Sequence, residues 1–367
     1  MSVEKMYRAA AIGRANGGGY GHGLHTAYKN VDNVEFVAVA DEDDEGRSKG
    51  REETGAPQAY ASYREMLERE KPDIVSVCPR WTDCHLEMVL ACLEAGAHVY
   101  CEKPMTWNLE EGDRIVGTAA AAGKKVAVAH QAVYLPVLQG LKKMLDAGRI
   151  GELQSIYAHG KQDRRGGGED MIVLGTHLFN IMRFLAGDVA WMSSHVMAAG
   201  RELELGDIRE PGEPVGPVAG DCINSYFSFA SGVVGFFDSR KYEEGGGQRF
   251  GLEIVGSEGR ISLSGGGGND PRIYPHPVFR PAATEQQWQV LEELSEQPLQ
   301  TGNHLAIVDL IAAIEEDRKP VSSDRDAVAA LEMILGAYES QITGARVGFP
   351  MQRRHPLLAW QEGFYGS

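Results

Sequence analysis

The stretch DCHLEMVLACLEAGAHVYCE (83–102) predicts a helix followed by a buried strand. From Leu86 onward, apolar side chains recur at i, i+3, i+4 and i+7 within residues 83–95, which is the spacing of one helix face. Gly96 stands where such a helix is expected to end. HVYCE (98–102) is then a short apolar run, typical of strands that are buried on both faces. The stretch therefore predicts one helix-to-strand step of a parallel α/β sheet.

Similar steps occur on both sides of this stretch. A second helical pattern covers residues 108–122 and is closed by Gly123. Four further apolar runs predict strands at 8–13, 35–41, 76–79 and 125–129. Uniformly apolar strands that alternate with helices predict a doubly wound parallel sheet with helices on both faces. We expect a Rossmann domain over residues 1–130.

The pattern changes near Pro136, after which strands are no longer separated by regular helices. The runs at 223–230 and 232–239 are joined by a very short connection, which predicts an antiparallel hairpin. The other predicted strands cover 153–159, 251–256 and 260–265, and predicted helices cover 136–147, 173–186, 303–315 and 326–342. We therefore expect an α+β domain over residues 131–367, with an open, mostly antiparallel sheet of about six strands.

Charge and composition exclude several classes of partner. The chain of 367 residues has 52 acidic and 36 basic residues, a formal net charge of −16. No basic cluster stands out, so we expect neither a nucleic-acid partner nor binding to anionic membranes. No apolar run reaches the roughly 18 residues that a membrane-spanning helix needs.

The cysteines point to a reducing compartment. There are five of them, an odd number, and none forms a CxxC pair, which is typical of reduced, buried thiols. The N-terminal residues enter a predicted strand almost at once and leave no room for a signal peptide. We expect a cytoplasmic protein, unless a leader has been removed.

The loop after the first predicted strand, GRANGGGYGHG (13–23), has six glycines among its eleven residues. Glycine lets the backbone approach a pyrophosphate and point N–H groups at it, and we expect the following helix to add its positive N-terminal end. The strict spacing G-x-G-x-x-G does not occur, so a flexible glycine-rich turn is the alternative. The candidate dinucleotide contacts in this loop are Gly13, Gly17, Gly18, Gly19, Tyr20 and Gly21.

Asp41 ends the second predicted strand, about 20 residues after the glycine loop. An acidic side chain at that place accepts hydrogen bonds from the adenosine ribose and repels a 2′-phosphate. Glu42, Asp43 and Asp44 add to the repulsion. We therefore predict NAD as the cofactor in preference to NADP. The alternative role for Asp41 is to cap a helix over residues 43–53.

Glu102-Lys103-Pro104 follows the strand of the opening stretch. In doubly wound sheets, ligands lie outside the carboxyl ends of the strands, so Lys103 is expected to face the cofactor. Its ammonium can donate to a substrate hydroxyl and stabilise a developing alkoxide. A cis bond before Pro104 would help to orient the lysine. The alternative is an ordinary exposed lysine at a strand end.

Together these features resemble the Gfo/Idh/MocA family, which is named for glucose–fructose oxidoreductase and inositol dehydrogenase. The resemblance covers nearly the whole chain and is most specific in ACLEAGAHVYCEKPMTWNLEEG (91–112). It implies that Lys103 is the lysine of the catalytic site and that the substrate is a sugar, a polyol or a derivative. Beside the glycine loop and Asp41, the expected cofactor contacts are Pro79, Glu102, Lys103 and Gln131.

The family carries a motif of the form G-G-x-x-x-D-x-G-x-H-x-x-D in its second domain, and GGGEDMIVLGTHLFN (166–180) resembles it in part. Gly175 and His177 match, whereas Val173 and Asn180 stand where the family has aspartates. By this resemblance His177 is the acid/base, a role that suits an ordinary histidine pKa of about 6.5. With Lys103 and His177, the expected substrate contacts are Tyr134, Arg164, Asp170 and Asn180.

The leading hypothesis is a dehydrogenase or reductase that moves a hydride between NAD and a sugar, cyclitol or related polyol. An NAD-retaining glycosidase that works by oxidation, elimination and reduction is a second possibility. A regulatory protein that binds NAD and a sugar without catalysis is a third.

Histidines near the glycine loop lack metal-ligand spacing, so no metal is predicted. The exposed face of an open sheet leads us to expect a homodimer or homotetramer.

Overall fold

The computed structural model describes residues 5–242, 250–277 and 286–365. Its contacts divide the chain into two compact units. The first contains Met1–Gln131, Glu213–Val215 and Gln300–Val328, and the second contains Ala132–Gly212, Gly216–Leu299 and Ala329–Ser367. The predicted division after residue 130 places Glu213–Val215 and Gln300–Val328 in the second domain, but both segments pack with the first unit. Within the described ranges, no helix is both long enough and apolar enough to span a membrane.

The first unit holds a sheet of six parallel strands, which confirms the predicted Rossmann arrangement. The strands are β1 (Tyr7–Ile12), β2 (Val34–Ala40), β3 (Gln58–Tyr60), β4 (Ile74–Val77), β5 (His98–Cys101) and β6 (Val126–Val128). Their order in the sheet is β3-β2-β1-β4-β5-β6. The helices of this unit are α1 (Asp44–Thr54), α2 (Tyr63–Glu70), α3 (His85–Glu94), α4 (Leu109–Ala122) and α8 (Thr301–Glu315).

The helix expected directly after the glycine loop is absent from this well-described region, so that prediction was wrong. Residues Leu24–Thr26 form only a single 3₁₀ turn. Four glycines of the loop, Gly18, Gly19, Gly21 and Gly23, have positive φ. A right-handed helix needs negative φ, so these residues hold the chain in a run of tight turns. The dipole of a following α-helix therefore does not contribute at this loop.

Helix ends follow ordinary capping chemistry. Asp43 caps α1 by accepting from the Gly46 N–H at 2.8 Å, so the capping role considered for Asp41 belongs to Asp43. Asn108 caps α4 in the same way, and Gly123 ends that helix in the left-handed conformation.

The second unit holds one sheet of ten strands, more than the roughly six predicted. They are β7 (Leu153–His159), β8 (Val189–Ala198), β9 (Arg201–Glu202), β10 (Cys222–Phe229), β11 (Val234–Arg240), β12 (Gly251–Gly256), β13 (Arg260–Ser264), β14 (Asn269–Tyr274), β15 (Gln289–Val290) and β16 (Val347–Gly348). The order is β15-β14-β13-β12-β7-β11-β10-β8-β16, and β9 pairs with β8. Among the strands of the described residues, only the pair β7–β11 is parallel, which confirms a mostly antiparallel sheet.

The ten-residue strand β8 was missed because its middle, Ser193-Ser194-His195, is polar. The hairpin β10–β11 was predicted correctly, and β12 and β13, which also pair antiparallel, lie at predicted strand positions. Helices α5 (Pro136–Asp146), α6 (Gly168–Val173), α7 (Gly175–Ala186) and α10 (Pro356–Gln361) belong to this unit, and α9 (Asp324–Thr343) starts in the first unit and continues into it.

The core of the second unit lies between the sheet and α7. Side chains alternate along β10 and β11, so Phe227 and Phe237 are buried on one face. Both rings contact Phe179 of α7, with ring centroids 5.6 and 4.7 Å apart. Because α7 is held along its length by this packing, residues at its start have a fixed position on the unit.

Candidate active site

The end of β2 forms the clearest part of a dinucleotide site. Asp41 is 2% exposed, and its Oδ1 accepts from the N–H groups of Ala15 at 3.3 Å and Asp43 at 3.0 Å. Its Oδ2 has no hydrogen-bond partner among the described residues. Burial raises the pKa of this carboxyl, and the two backbone hydrogen bonds oppose that shift. One oxygen therefore fixes the side chain and the other is left for a ligand donor.

A cavity of about 460 Å³ opens beside Asp41 in the first unit. Its lining includes Gly13, Arg14, Asp41, Glu42, Ser62, Tyr63, Asp83 and Cys84. Arg14 donates to Asp83 Oδ2 at 2.8 Å and lies 3.9 Å from Glu42 Oε1. The cavity thus carries more negative than positive side chains, as suits an uncharged ribose 2′-hydroxyl.

Gly13, which lines this cavity, lies against the ring of Tyr20. A Cβ on Gly13 would lie 2.5 Å from the Tyr20 ring and 2.9 Å from Asp41 Oδ2. Tyr20 is buried, and its ring contacts that of His25 in a tilted arrangement with ring centroids 4.4 Å apart. Its ring therefore supports the loop from inside the unit, and a direct contact of Tyr20 with the cofactor stays a prediction.

The other loop glycines are close to backbone or open to solvent. A Cβ on Gly18 would lie 2.6 Å from Cβ of Arg80, and one on Gly21 would lie 2.3 Å from the Cys78 carbonyl oxygen. A Cβ on Gly17 would meet the Arg14 side chain, whereas one on Gly19 would meet nothing within 4 Å. Space is therefore open beside Gly19, whose own N–H donates to the Arg14 carbonyl at 2.9 Å.

Glu102 lies directly after β5 and is fully buried. Its Oε2 accepts from the His22 backbone N–H at 2.9 Å and lies 2.9 Å from His22 Nδ1. Burial alone would raise the pKa of this carboxyl, but the hydrogen bonds from His22 and the charge of Lys103 outweigh it, and the pKa is lowered. Glu102 is therefore ionised and ties the glycine loop to the end of β5.

Lys103 is 4% exposed, so it is not the ordinary exposed lysine that was the alternative. Its N–H donates to Glu102 Oε1 at 2.9 Å, and the Lys103–Pro104 bond is cis. It follows β5, next to β4 in the sheet, at the edge where ligands of doubly wound sheets bind.

Pro79 and Gln131 lie at the same edge of the first sheet, after β4 and β6. The Pro79 carbonyl oxygen lies 2.7 Å from Nε2 of His85. Gln131 is buried, and a Cβ on Gly302 would lie 2.4 Å from its carbonyl oxygen. Their contacts with a cofactor stay predictions.

In the second unit, His177 and Asn180 stand one turn apart near the start of α7. His177 is 6% exposed, and its N–H donates to the Leu174 carbonyl at 3.1 Å. Val173, where the family has aspartate, is buried at the end of α6. Leu174 interrupts the single helix predicted over 173–186 and separates α6 from α7.

The two carboxylates just before Val173 are bound to other groups. Asp170 Oδ2 accepts from Ser239 Oγ at 2.6 Å and from the Gln162 N–H at 3.2 Å, and burial raises its pKa although these bonds oppose the shift. Glu169 pairs with Arg209 at 3.2 Å. Asp170 thus fastens the loop after β7 to β11, and a substrate contact could use only its Oδ1, which has no partner in the described ranges.

The two remaining predicted substrate contacts differ in exposure. Tyr134 is buried in the 3₁₀ turn before α5. Arg164 is exposed in the turn before α6, beside Arg165, which binds Asp163.

Arg14 and His85 are site residues that the sequence reasoning missed. The position of Arg14 directly after Gly13 was a usable signal, because Gly13 was already a candidate cofactor contact and both residues line the cavity beside Asp41. Nothing in the sequence marks His85, since its partners are backbone carbonyls. In the part of the chain that the structure covers, no group of three or more His, Cys, Asp or Glu side chains could hold a metal ion.

The residues present fit NAD. Asp41 at the end of β2 has a buried oxygen without a partner among the described residues, as a ribose hydroxyl donor needs, and space is open beside Gly19. Asp41 would hold the ribose, the glycine loop would lie against the pyrophosphate, and Lys103 would lie at the nicotinamide end.

Comparison with known proteins agrees with this geometry. Residues 8–130 match the family described as an oxidoreductase family with an NAD-binding Rossmann fold, and residues 138–262 match the GFO/IDH/MocA C-terminal domain. The myo-inositol 2-dehydrogenase of Thermotoga maritima is 27% identical over 241 residues, which cover 64% of this chain and 69% of the relative. The D-apiose dehydrogenase of Paraburkholderia graminis is 24% identical over 94% of this chain and 90% of its own length.

A solved levoglucosan dehydrogenase, in complex with NADH and levoglucosan, superposes with a TM-score of 0.76 at 19% identity. The match covers 95% of this chain and all of that one, and at this identity it supports the fold. The two matched domains, in the order and with the folds described above, show that the chain belongs to the Gfo/Idh/MocA family of NAD-binding oxidoreductases.

Proposed function

We propose that the protein oxidises a secondary hydroxyl of a sugar, cyclitol or related polyol, or reduces the matching ketone, with NAD as the redox partner. The observation that carries this proposal is the buried Lys103 at the carboxyl end of β5, beside ionised Glu102. NAD, when bound, supplies the hydride acceptor or donor. The names of the relatives, which include inositol, apiose and levoglucosan dehydrogenases, support the substrate class.

In the direction of oxidation, the hydroxyl proton must leave its oxygen as the C–H electron pair leaves the carbon. We assign the acceptance of that proton to His177 and the stabilisation of the negative oxygen to the Lys103 ammonium. In reduction the same groups act in reverse, and His177 returns the proton. Tyr134, Arg164, Asp170 and Asn180 stay proposed substrate contacts.

Turnover of a substrate panel tests this function. With NAD and myo-inositol, levoglucosan, D-apiose and methyl glucosides, we expect at least one polyol to give a rise in reduced-nicotinamide absorbance. Glycoside cleavage without added NAD would instead favour an NAD-retaining glycosidase. Tight NAD binding without turnover of any panel member or its ketone would favour a regulatory role.

Asp41 should determine the choice of dinucleotide. A carboxylate opposite a 2′-phosphate costs several kcal/mol, so we expect kcat/KM to be about 100-fold lower with NADP than with NAD. Asp41→Asn should reduce this ratio, and Asp32→Asn, an exposed aspartate of the same unit, should leave it unchanged. An equal or higher kcat/KM with NADP in the unchanged protein would contradict this role.

We also propose that the protein is a homodimer or homotetramer that pairs through the open face of the second sheet. A row of half-buried aromatic side chains crosses this face, with Tyr157, Phe236, Tyr226 and Trp191 in sequential ring contact at 4.6, 5.4 and 5.3 Å. Apolar patches of this size are commonly covered in oligomers. Sedimentation should give at least twice the chain mass of 39.9 kDa, and Tyr226→Lys should lower it. A monomer at micromolar concentration would contradict the proposal.

The five cysteines, Cys78, Cys84, Cys92, Cys101 and Cys222, are all free thiols. This supports the further proposal that the protein works in a reducing compartment such as the cytoplasm.

A further inference from the structure

His85 is fully buried at the first position of α3 and contacts three backbone carbonyls. Its Nε2 lies 2.7 Å from the Pro79 oxygen. Its Nδ1 lies 3.0 Å from the Pro104 oxygen and 3.0 Å from the Met105 oxygen. One imidazole therefore connects the chain that leaves β4 with the chain that leaves β5.

The two chains need such a connector because of their sequence. The last residue pair of the β4–β5 ladder is Val77 with Cys101, and the Glu102 N–H still donates to the Val77 oxygen at 2.9 Å. Beyond that point come Pro79 and Pro104, which have no N–H to donate. The segments after β4 and β5 then present the carbonyl oxygens of Pro79 and Pro104 around His85. Two carbonyl oxygens are both acceptors, so they can be linked only through a donor between them.

A histidine is suited to this place by its two ring nitrogens. A carbonyl oxygen only accepts, and the ring has nitrogens on two sides, one within hydrogen-bond distance of the Pro79 oxygen and the other of the Pro104 and Met105 oxygens. A glutamine amide has both of its N–H hydrogens on one nitrogen, so it has no second donor atom at the place of the other ring nitrogen.

Lys103 is the residue that these bonds position. Its own N–H is held by Glu102 Oε1 at 2.9 Å, and the carbonyl of the next residue, Pro104, is held by His85. The backbone is thus fixed on both sides of the Lys103 side chain. We propose that His85 is a positioning residue for Lys103, which rests on the proposed role of that lysine.

The first test measures the backbone directly and needs no substrate. Hydrogen exchange of residues 102–106 should be faster in His85→Gln than in the unchanged protein. The matched control is His98→Gln at the opposite end of β5, where Nδ1 accepts from the Lys125 N–H at 2.9 Å and burial lowers the histidine pKa to about 4. The control should leave exchange of residues 102–106 unchanged. Equal exchange of that segment in His85→Gln and the unchanged protein would overturn the proposal.

The second test asks whether His85 acts through Lys103. With myo-inositol, or the panel polyol that turns over fastest, His85→Gln should lower kcat by about 10- to 100-fold, since small misplacements of a reacting group have effects of this order. The dissociation constant of NADH, measured by fluorescence, should change less than about twofold, because a positioning role acts on kcat rather than on ground-state binding.

In a Lys103→Met background, the same His85→Gln change should have little further effect on kcat. An equal loss of kcat in both backgrounds would show that His85 does not act through Lys103 and would overturn the proposal. Unchanged turnover in Lys103→Met alone would instead contradict the proposed function, so the two failures are distinguishable.

Discussion

Lys103→Met should lower kcat by about 10²- to 10³-fold, the usual effect of removing one group that stabilises a developing oxyanion. Methionine keeps the length and apolar stem of the side chain but removes the ammonium. The side chain is almost completely buried at the carboxyl end of β5, so solvent cannot easily replace that charge. We expect the dissociation constant of NADH to change little, because the proposed contacts of Asp41 and the glycine loop are with the other end of the dinucleotide.

The matched control is Lys49→Met on α1, where the lysine side chain is 68% exposed. Its kcat should equal that of the unchanged protein. Steady-state kinetics and NADH fluorescence titration measure both quantities. If Lys103→Met turned over as fast as the unchanged protein, Lys103 would have no role in the reaction.

His177→Gln should lower kcat by about 10²- to 10⁴-fold, the range for loss of a general acid or base. Glutamine keeps a polar side chain of similar size at the start of α7 but cannot accept a proton at neutral pH. The limb of the pH–rate profile that reports the base should also disappear. KM for the polyol should change less than kcat, because the proton moves only in the transition state.

His276→Gln is the control for this variant, since His276 is a half-buried histidine of the same unit whose ring meets that of Tyr274 edge to face. It should keep both kcat and the pH–rate profile. If His177→Gln retained the same profile as the unchanged protein, another group would have to take the proton.

Elements whose signal is local were predictable from the sequence. Strand β5 and helix α3 are a short apolar run and an apolar helix face, and both are buried in the core of the parallel sheet as expected. Asp41 could be identified because its role depends on a fixed place at the end of β2. The hairpin β10–β11 followed from the short connection between two alternating segments.

Features that depend on distant partners were not predictable. Glycine content marked the loop over 13–23 but showed neither its positive φ values nor that a single 3₁₀ turn follows it in place of the expected helix. Residues 300–328 were assigned to the second domain, because nothing in a helix sequence tells which unit it packs against. Strand β8 was missed because its polar middle interrupts the apolar alternation that marks a strand.

The candidate site shows the same division. Lys103 and His177 were found from motifs, whereas His85 became visible only when its ring was placed between three carbonyl oxygens. Asp170 is a predicted substrate contact, but the sequence does not show that Ser239 on β11 donates to its Oδ2. Side-chain partners supplied by other elements decide such roles, and single-sequence patterns do not contain them.

Hydride transfer between a polyol carbon and NAD is the central claim, and isotope transfer tests it most directly. The protein is incubated with NAD and myo-inositol deuterated on carbon, followed by the other panel polyols in the same form, and the reduced nucleotide is analysed by mass spectrometry. We expect one deuterium per molecule of NADH formed with at least one polyol, and none with Lys103→Met on the same timescale. NAD binding without deuterium transfer from any of these polyols would contradict the claim.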